Sequence, residues 1–198
     1  MITIDLPRYP VARKIDWSLV QPTQVNRPEF GYGHPRSTIL ARAAYWTARV
    51  EYPVIQGEAR FRPWRSALTR LQGRANAFRL VAVEGPQQRF YSEVVVDGAG
   101  QQGYTLLTRG WAEGAYLLDG MFITIGESLF QVVADSEIAS TTGKLAISVM
   151  PQLPADLTDG VTIEVNKPWA LMNLANDQQG WTVDVGQQYL VAFDCTGA

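Results

Sequence analysis

The sequence of 198 residues predicts a mainly β fold with one amphipathic helix, which places it in the α+β class. Three short apolar runs support this prediction, at residues 121–125, 129–134 and 145–150, and each is bounded by glycine, proline or aspartate. Closely spaced β-rich runs of this kind are typical of an antiparallel meander within a barrel or sandwich. One stretch between residues 61 and 71 instead has helical periodicity.

The first 36 residues are predicted to form an irregular, proline-rich N-terminal arm. Closely spaced prolines interrupt helices and strands, because proline fixes φ and removes a backbone donor. The arm carries Pro7, Pro10, Pro22, Pro28 and Pro35, together with Gly31 and Gly33. We expect it to pack on a neighbour or to lie over its own core.

Residues 37–90 are predicted to form a strand–helix–strand region. The first strand covers residues 44–54, where polar and apolar side chains alternate. The second strand covers residues 77–83. The inward face of the first strand is predicted to hold Trp46, Ala48, Val50, Tyr52 and Val54.

The helix between these strands is amphipathic. Pro63 is expected in its first turn and Gly73 just past its end, which are the positions that favour these residues. Arginines occupy the circumference that the apolar residues leave free. The buried face is predicted to hold Phe61, Trp64, Ala67, Leu68 and Leu71, and the polar face to hold Arg62, Arg65, Arg70 and Arg74.

Residues 91–198 are predicted to form a β-rich antiparallel barrel or sandwich, with a boundary near residues 85–90. Gly126 can supply the positive φ that a short hairpin loop needs, and Pro151 is expected to close the meander. The loop at residues 135–144 and the segment at 173–179 are the predicted exposed contact loops. Further strands are expected at residues 90–96, 104–111, 161–165, 180–185 and 188–194.

The formal net charge of −2 hides an uneven distribution. Residues 1–90 carry thirteen Arg and one Lys against six acids, a net charge of +8. Residues 91–198 carry three bases against thirteen acids, a net charge of −10. A polar charge distribution can steer docking and favour head-to-tail stacking of copies. Two solvated surfaces that merely differ in sign would give the same totals.

The excess of Arg over Lys in the basic half suits bidentate contacts with phosphate or carboxylate. These arginines are dispersed and match no nucleic-acid-binding motif, so we expect only nonspecific proximity to DNA. The single cysteine, Cys195, excludes an internal disulfide framework and indicates folding in a reducing compartment. We expect no secretory signal and no membrane insertion, since no run approaches the roughly 18 apolar residues of a membrane span.

No catalytic or metal-binding arrangement is predicted, and we expect neither enzymatic activity nor a cofactor. His34 is the only histidine and lies in the irregular arm, a poor platform for a catalytic base. A zinc site would need several His or Cys ligands. The acid pairs Asp135 with Glu137 and Asp156 with Asp159 leave a hydrolase open as an alternative. Solvated loop acids are the simpler interpretation.

Tryptophans are the remaining candidate binding residues. Trp46 and Trp64 lie on predicted core faces and are interpreted as packing residues. Trp169 and Trp181 could instead line an exposed platform or pack between protomers, and we favour packing between protomers.

Two tracts of the chain are similar to the distal tail protein family of long-tailed bacteriophages, over about residues 40–194. The first tract carries Trp46, Tyr52, Pro53, Val54, Trp64, Leu68, Leu71, Gly73, Asn76, Phe78, Arg79 and Leu80. The second carries Gly110, Trp111, Leu117, Leu118, Asp119, Gly120, Ile123, Ile125, Phe130, Val132, Asp135, Gly143 and residues 145–151. These motifs are strand, helix and turn residues rather than a catalytic signature.

The resemblance implies a structural virion protein that forms a ring, usually a hexamer, at the tail tip. The ring would join the tail tube protein to the baseplate or tail-tip hub protein. An N-terminal belt region, here the tract 46–80, would form the ring, and a β-rich C-terminal domain would decorate it. Synthesis in the host cytoplasm would fit the lone cysteine. The N-terminal arm has no match in the family pattern.

Ring contacts are expected from the strand at residues 44–54 and the arginine-bearing helix, and partner contacts from the polar loops. Two other functions stay open: a tail terminator or head–tail connector ring, and a carbohydrate-binding β module that grips the host surface. The candidate interface residues are Trp46, Arg49, Arg62, Arg65, Arg70, Arg74, Asp135, Glu137, Lys144 and Trp169.

Overall fold

The computed structural model describes residues 1–26, 34, 36–40, 43–87 and 93–198. Within these ranges it is mainly β with one α-helix, which confirms the predicted fold class. The helix α1 spans Glu58–Leu71. The strands are β1 Lys14–Val20, β2 Thr23–Asn26, β3 Arg36–Ile39, β4 Tyr45–Glu51, β5 Ile55–Gln56, β6 Ala77–Val81, β7 Val95–Val96, β8 Gly103–Arg109, β9 Phe122–Ile125, β10 Ser128–Val132, β11 Lys144–Leu153, β12 Ile163–Glu164, β13 Trp169–Leu174, β14 Thr182–Asp184, β15 Gln188–Leu190 and β16 Ala192–Gly197.

Backbone contacts group the chain into two compact units. Unit 1 comprises Met1–Ser18, Trp46–Val81 and Trp169–Ala198, and unit 2 comprises Leu19–Tyr45 and Ala82–Pro168. These units differ from the three consecutive segments expected from the sequence, 1–36, 37–90 and 91–198. The physical reason is that β13 and β16, near the C-terminus, pair with β6 and β4 of the first half.

Unit 1 is built around a five-stranded sheet in the order β1-β4-β16-β13-β6. β13 lies between β16 and β6 and pairs antiparallel with both. The sequence analysis missed β13 and expected an exposed loop from residue 173. Its side chains do not alternate, since Ala170, Leu171, Met172 and Leu174 are all buried.

Strand β4 has the predicted inward face, with Trp46, Ala48 and Val50 buried and Tyr52 buried just beyond its end. Val54 is exposed, contrary to the prediction, because the strand ends at Glu51. The arm was also predicted to be irregular, yet residues 14–20 form β1 and residues 23–26 form β2. The part of the arm from residue 27 to 33, together with Pro35, lies outside the described residues, as does the start of the strand expected at 90–96.

Helix α1 buries its predicted apolar face. Pro63 is the sixth residue of the helix rather than part of its first turn, so the helix lacks the bond that an N–H there would donate to Ala59. The end of the helix is as predicted: Gln72 is the left-handed C-cap and Gly73 follows with φ 65. A Cβ on Gly73 would lie 3.1 Å from Cα of Asp177, so the chain passes closely there. The buried residues are Phe61, Trp64, Ala67, Leu68 and Leu71.

Unit 2 contains a six-stranded antiparallel sheet that nearly closes into a barrel, in the order β12-β9-β10-β11-β8-β7. The predicted meander supplies β9, β10 and β11, and Gly126 takes φ 61 in the two-residue loop between β9 and β10. Val95 bridges to Thr162, and the N–H of Val96 donates to the carbonyl of Val161 at 3.0 Å. These contacts join the two edges of the sheet and so narrow the gap in the barrel.

One predicted boundary in unit 2 is wrong. Pro151 does not close the meander, because β11 continues to Leu153 through an irregularity in its pairing with β8; prolines are tolerated at such irregularities. The loop at residues 135–144 is exposed over most of its length, as predicted, although Ala139 is buried in the barrel core. Its backbone N–H donates to the carbonyl of Ala115 at 2.8 Å, which fixes the loop against the barrel.

Gly110 and Trp111 are positioned by close backbone contacts. Gly110 has φ 94, and a Cβ there would lie 2.2 Å from the carbonyl oxygen of Glu93. The indole N–H of Trp111 donates to Oγ1 of Thr108 at 2.7 Å, and this hydroxyl donates to the carbonyl of Leu145 at 2.7 Å. Both side chains are buried, so the network is fully enclosed.

Replacing a barrel core residue should destabilise unit 2 far more than replacing its exposed neighbour. Leu106 is fully buried and Leu107 is 49% exposed on the same strand. We expect Leu106→Ala to lower the free energy of unfolding by about 2–5 kcal/mol, because it leaves a cavity, and Leu107→Ala by less than about 0.5 kcal/mol. Urea titration with matched slopes would measure both values. Equal effects would contradict the assigned strand face.

The two glycines Gly110 and Gly120 separate the cost of a positive φ from the cost of a clash. Gly120 has φ 84 and open space around its Cα. We expect Gly120→Ala to cost about 1–2 kcal/mol of stability from φ alone. Gly110→Ala should cost more than about 4 kcal/mol, because the backbone of Glu93 must also move. Thermal melts of the two variants would rank them, and a milder Gly110→Ala would rule out the close approach.

Candidate functional site

The predicted interface residues are divided between the two units. In unit 1, α1 presents Arg62 and Arg70 to solvent and Arg65 half-buried. Residues 62, 65, 66, 69 and 70 share the solvent side of the helix, because the last four lie three, four, seven and eight positions after residue 62. We call this side, with Trp181 and Val183 of the neighbouring hairpin, the basic surface.

The basic surface is held in place by the Glu58 carboxylate at the start of α1. Oε2 of Glu58 accepts hydrogen bonds from Nη2 of Arg65 and from the hydroxyl of Tyr189, each at 2.7 Å. The Tyr189 hydroxyl and the Arg65 guanidinium both favour the ionised form and lower the pKa of Glu58. The Glu58 carboxylate in turn raises the pKa of Tyr189, since a phenolate there would face a negative charge.

Aromatic rings extend this anchor to the hairpin β14–β15. Phe61 stacks on Tyr189 with ring centroids 4.1 Å apart, and Trp181 lies 5.3 Å from Phe61. The Arg65 guanidinium lies over both Phe61 and Trp181, at 5.5 and 5.8 Å from the ring centroids. Trp181 is therefore a partly exposed ring, 37% accessible, beside a fixed positive charge.

Val183 lies on the same side of the hairpin as this aromatic group. It pairs directly with Tyr189 across the two strands, and side chains of directly paired residues project from the same face. Val183 is 52% exposed, and β14 is an edge strand of its sheet. The basic surface thus combines arginines with exposed apolar side chains.

The other candidates in unit 1 are engaged within the unit. Trp46 is buried and packs edge-on against Trp17, with centroids 6.2 Å apart. Trp169 is half-buried, with the guanidinium of Arg79 4.5 Å from its ring centroid. Arg49 and Arg74 are exposed and pair with Glu51 and Asp177 at 3.3 and 3.7 Å.

In unit 2, Asp135 and Glu137 belong to a strip formed by residues 113–119 and 133–139. The two segments run against each other: the N–H of Ser136 donates to the carbonyl of Leu117 at 2.8 Å, and the N–H of Asp119 donates to Oδ1 of Asp135 at 2.7 Å. Ala115 and Leu117 are buried, whereas Tyr116 and Leu118, which follow them, are exposed. We call this feature the acidic strip.

The acidic strip exposes apolar side chains among its acids. Ile138 is the most accessible of them, at 70%. The strip's exposed apolar residues are Tyr116, Leu118, Val133 and Ile138, and its exposed acids are Glu113, Asp119, Asp135 and Glu137. Apolar surface rimmed by charge is the usual composition of a protein–protein contact.

Lys144 takes part in an ion network in unit 2, where the start of β11 pairs with the end of β8. Its Nζ lies 2.7 Å from Oδ2 of Asp97, whose Oδ1 accepts from Arg109 at 3.0 Å. Arg109 also binds Asp159 with two nitrogens, at 2.6 and 3.2 Å. Asp159 further accepts the N–H of Gly98 at 2.7 Å, so it links two turns to the strand pair.

This network shifts the titration of its members. The Arg109 guanidinium, followed by the Gly98 N–H, lowers the pKa of Asp159 to about 2. Lys144 and Arg109 lower the pKa of Asp97, and the two carboxylates raise the pKa of Arg109. The two members of the predicted acid pair Asp156 and Asp159 therefore have different surroundings. Asp159 is ion-paired with the Arg109 guanidinium, and Asp156 is an exposed acid.

Cys195 and His34, the single cysteine and histidine of the sequence, are its candidate reactive groups. Cys195 is buried, its thiol donates to the carbonyl of Ala48 at 3.2 Å, and burial raises its pKa to about 12, which disfavours the reactive thiolate. His34 is exposed. Across the described ranges, no group of three or more His, Cys, Asp or Glu is placed to hold a metal ion. No helix among the described residues is long and apolar enough to span a membrane.

Unit 1 also has a small polar cavity of about 130 Å³. Small-molecule sites usually measure roughly 300–1,000 Å³. Phe193 and Asp194 contribute to its wall, and side-chain amides supply much of the remainder. The amide residues are Asn176, Gln178 and Gln179.

Folding also redistributes the charge. Unit 1 holds ten Arg and Lys against seven acids, a formal charge of +3, and unit 2 holds seven against twelve, a charge of −5. The contrast is weaker than the +8 and −10 of the two sequence halves. Residues 169–198 cause part of the change, since they bring three acids and no base to unit 1.

Sequence analysis did not identify the apolar members of either surface. Ala115 and Leu117 are buried whereas Tyr116 and Leu118 are exposed, but all four residues are apolar, so the sequence carries no alternation that would separate the two sets. Val183 lies in a strand that was predicted. Which face of that strand is buried depends on the packing of Phe61 on Tyr189, which the local sequence around Val183 does not show.

In comparisons with known proteins, no family model matches the chain and no curated protein matches it.

Acidification should weaken the Arg109–Asp159 pair. An acid with a lowered folded pKa adds stability above its unfolded pKa of about 4 and loses it as pH falls through its folded value. With a pKa of about 2 for Asp159, the loss should occur as pH falls from about 4 to about 2. We expect Asp159→Asn to be less stable at pH 7 and to lose less stability over this window.

Asp156→Asn supplies the matched control, because Asp156 is an exposed acid three residues earlier in the chain. Circular dichroism during urea titration at several pH values would compare the two. An unchanged pH dependence in Asp159→Asn would contradict a role for this carboxylate in acid stability.

Proposed function

We propose that this chain is a structural virion protein of a long-tailed bacteriophage, and that copies of it form a ring at the tail tip. The ring joins the tail tube protein to the baseplate or tail-tip hub protein, and six copies are the number that the family resemblance implies. The protein is non-enzymatic, needs no cofactor, and meets DNA only as nonspecific cargo in the lumen.

One observation carries this proposal: each unit exposes a broad surface of apolar and charged side chains, of opposite sign in the two units. The basic surface joins Arg62, Arg65 and Arg70 to Trp181 and Val183. The acidic strip joins four acids to four exposed apolar residues. Such surfaces suit assembly, where affinity is spread over many residues.

The motif residues of the resemblance support the same proposal through their positions. Trp64, Leu68, Leu71, Phe78, Ile123 and Val132 are buried core residues. Gly110 and Gly143 permit close backbone approaches, since a Cβ on Gly143 would lie 3.0 Å from the Trp111 carbonyl oxygen. These residues preserve a scaffold and supply no reacting group, which fits a protein whose work is assembly.

A host-surface carbohydrate-binding module is the second candidate. The amide-lined cavity favours it, because its wall continues to Gly180, the neighbour of the partly exposed Trp181. Sugar hydroxyls bind amides and carboxylates, and sugar rings stack on tryptophan. This function predicts a monomer with saturable glycan binding that Trp181→Ala abolishes, whereas the ring function predicts association without glycan.

The mass of the purified protein in solution tests the ring function. We expect light scattering to give six times the 22.0 kDa chain mass, or whole multiples of that mass where rings stack at low salt. Raising the salt from about 0.05 to about 0.5 M should dissolve stacks of rings, because the Debye length falls to a few ångströms. Stacking that is indifferent to salt would contradict a role for the charge contrast.

Position in the particle separates this ring from a tail terminator or head–tail connector. Gold-labelled antibody against the chain should mark the tail tip in electron micrographs of virions. Label at the head-proximal end would instead support the terminator or connector.

A further inference from the structure

We propose that the acidic strip of one copy docks on the basic surface of the next copy, and that this head-to-tail contact is the subunit interface of the ring. The inference rests on the proposed ring function and specifies which surfaces build it. The occupant of each surface is therefore a second copy of this chain.

Charge complementarity is the first support. The strip exposes Glu113, Asp119, Asp135 and Glu137, and bases within the ranges 113–119 and 133–139 are absent from the sequence. The basic surface exposes Arg62 and Arg70 and holds Arg65 half-buried beside Arg62, one helical turn away. Opposite fields of this kind fix the register of a contact and exclude like-charged pairings.

Apolar complementarity is the second support. Tyr116, Leu118 and Ile138 project from the strip with 42%, 44% and 70% of their surface exposed. Trp181 and Val183 project beside Arg65 with 37% and 52% exposed. An interface that buries both sets would place apolar contacts at its centre and charges around them, the usual anatomy of specific interfaces.

The preorganisation of both surfaces is the third support. Arg65 is fixed by Glu58 and by two aromatic rings, so little side-chain entropy remains to be lost on docking. The strip is fixed by backbone bonds between its two segments and by the bond from Asp119 to Asp135. Rigid, complementary surfaces bind with a smaller entropic cost than mobile loops.

A contact of this kind is the type from which a ring can be built. The two surfaces consist of different residues, so the contact is heterologous rather than a twofold self-contact. Heterologous contacts propagate head to tail and end only when the rotation closes. An isologous contact of either surface with itself would instead bring like charges together.

Charge reversal tests the contact without touching the anchors Glu58, Arg65 or Asp135. Variant A carries Arg62→Glu with Arg70→Glu, and variant B carries Glu113→Arg, Asp119→Arg and Glu137→Arg, which leaves the strip with a net positive charge. All five side chains are exposed, so folding should be retained, which circular dichroism verifies. Alone, each variant brings like charges together, and we expect association at least about tenfold weaker than wild type.

An equimolar mixture of A and B should restore association. The wild-type strip of A meets the wild-type helix of B, and the reversed helix of A meets the reversed strip of B. Every contact in an alternating ring is then complementary. The matched control reverses Glu127 and Asp156, which are exposed elsewhere in unit 2, and should associate like wild type.

Sedimentation velocity distinguishes the outcomes. Weakened variants that recover on mixing support the interface. If A and B associate like wild type, or stay weak when mixed, this interface is overturned while the ring function stands. If the wild-type chain stays monomeric at every concentration at which it is soluble, the ring function fails and the inference fails with it.

Discussion

The pairing of β13 on both of its edges is the constraint on which the rest of unit 1 depends. β13 takes β6 on one side and β16 on the other, and β16 in turn holds β4. The first half of the chain therefore cannot complete its sheet without the last thirty residues. The helix follows from the same arrangement: Trp64 contacts Tyr52, and Tyr52 and Phe78 both contact Phe193 of β16. These contacts join distant parts of the sequence, so the core of unit 1 consists largely of long-range contacts.

In unit 2 the main constraint is that the two edges of the six-stranded sheet contact each other. Its barrel brings β7 towards the residues preceding β12, and the hydrogen bonds near Val95 and Thr162 use donors that an open sheet would expose. Two glycines allow close backbone approaches beside neighbouring strand pairs of this sheet. A Cβ on Gly110, next to the β7–β8 pair, would lie 2.2 Å from the carbonyl oxygen of Glu93, and a Cβ on Gly143, next to the β8–β11 pair, would lie 3.0 Å from that of Trp111. The Arg109 network then ties the turns near Asp97 and Asp159 to β8.

Sequence reasoning succeeded where a local pattern carried the information. The apolar face of α1, the meander and the left-handed end of the helix near Gly73 all follow from spacing and turn chemistry. It failed for β13, whose Ala, Leu, Met and Asn side chains have low strand propensity and whose burial on both faces removes the alternation. The candidate arginines of α1 were identifiable for the same local reason. The apolar partners around them were not, because the exposure of Trp181 and Val183 depends on which distant rings cover them.

The redistribution of charge between the units bears directly on assembly. The two sequence halves carry +8 and −10, whereas the two units carry +3 and −5, because residues 169–198 belong to unit 1 and residues 19–45 and 82–90 belong to unit 2. The remaining contrast is then concentrated on particular surfaces, with the arginines on one helix and the acids on one strip. Concentrated charge beside fixed apolar residues specifies a single docking register, whereas a diffuse field would only raise the rate of encounter. A ring needs a single docking register, since each copy must contact the next at the same angle.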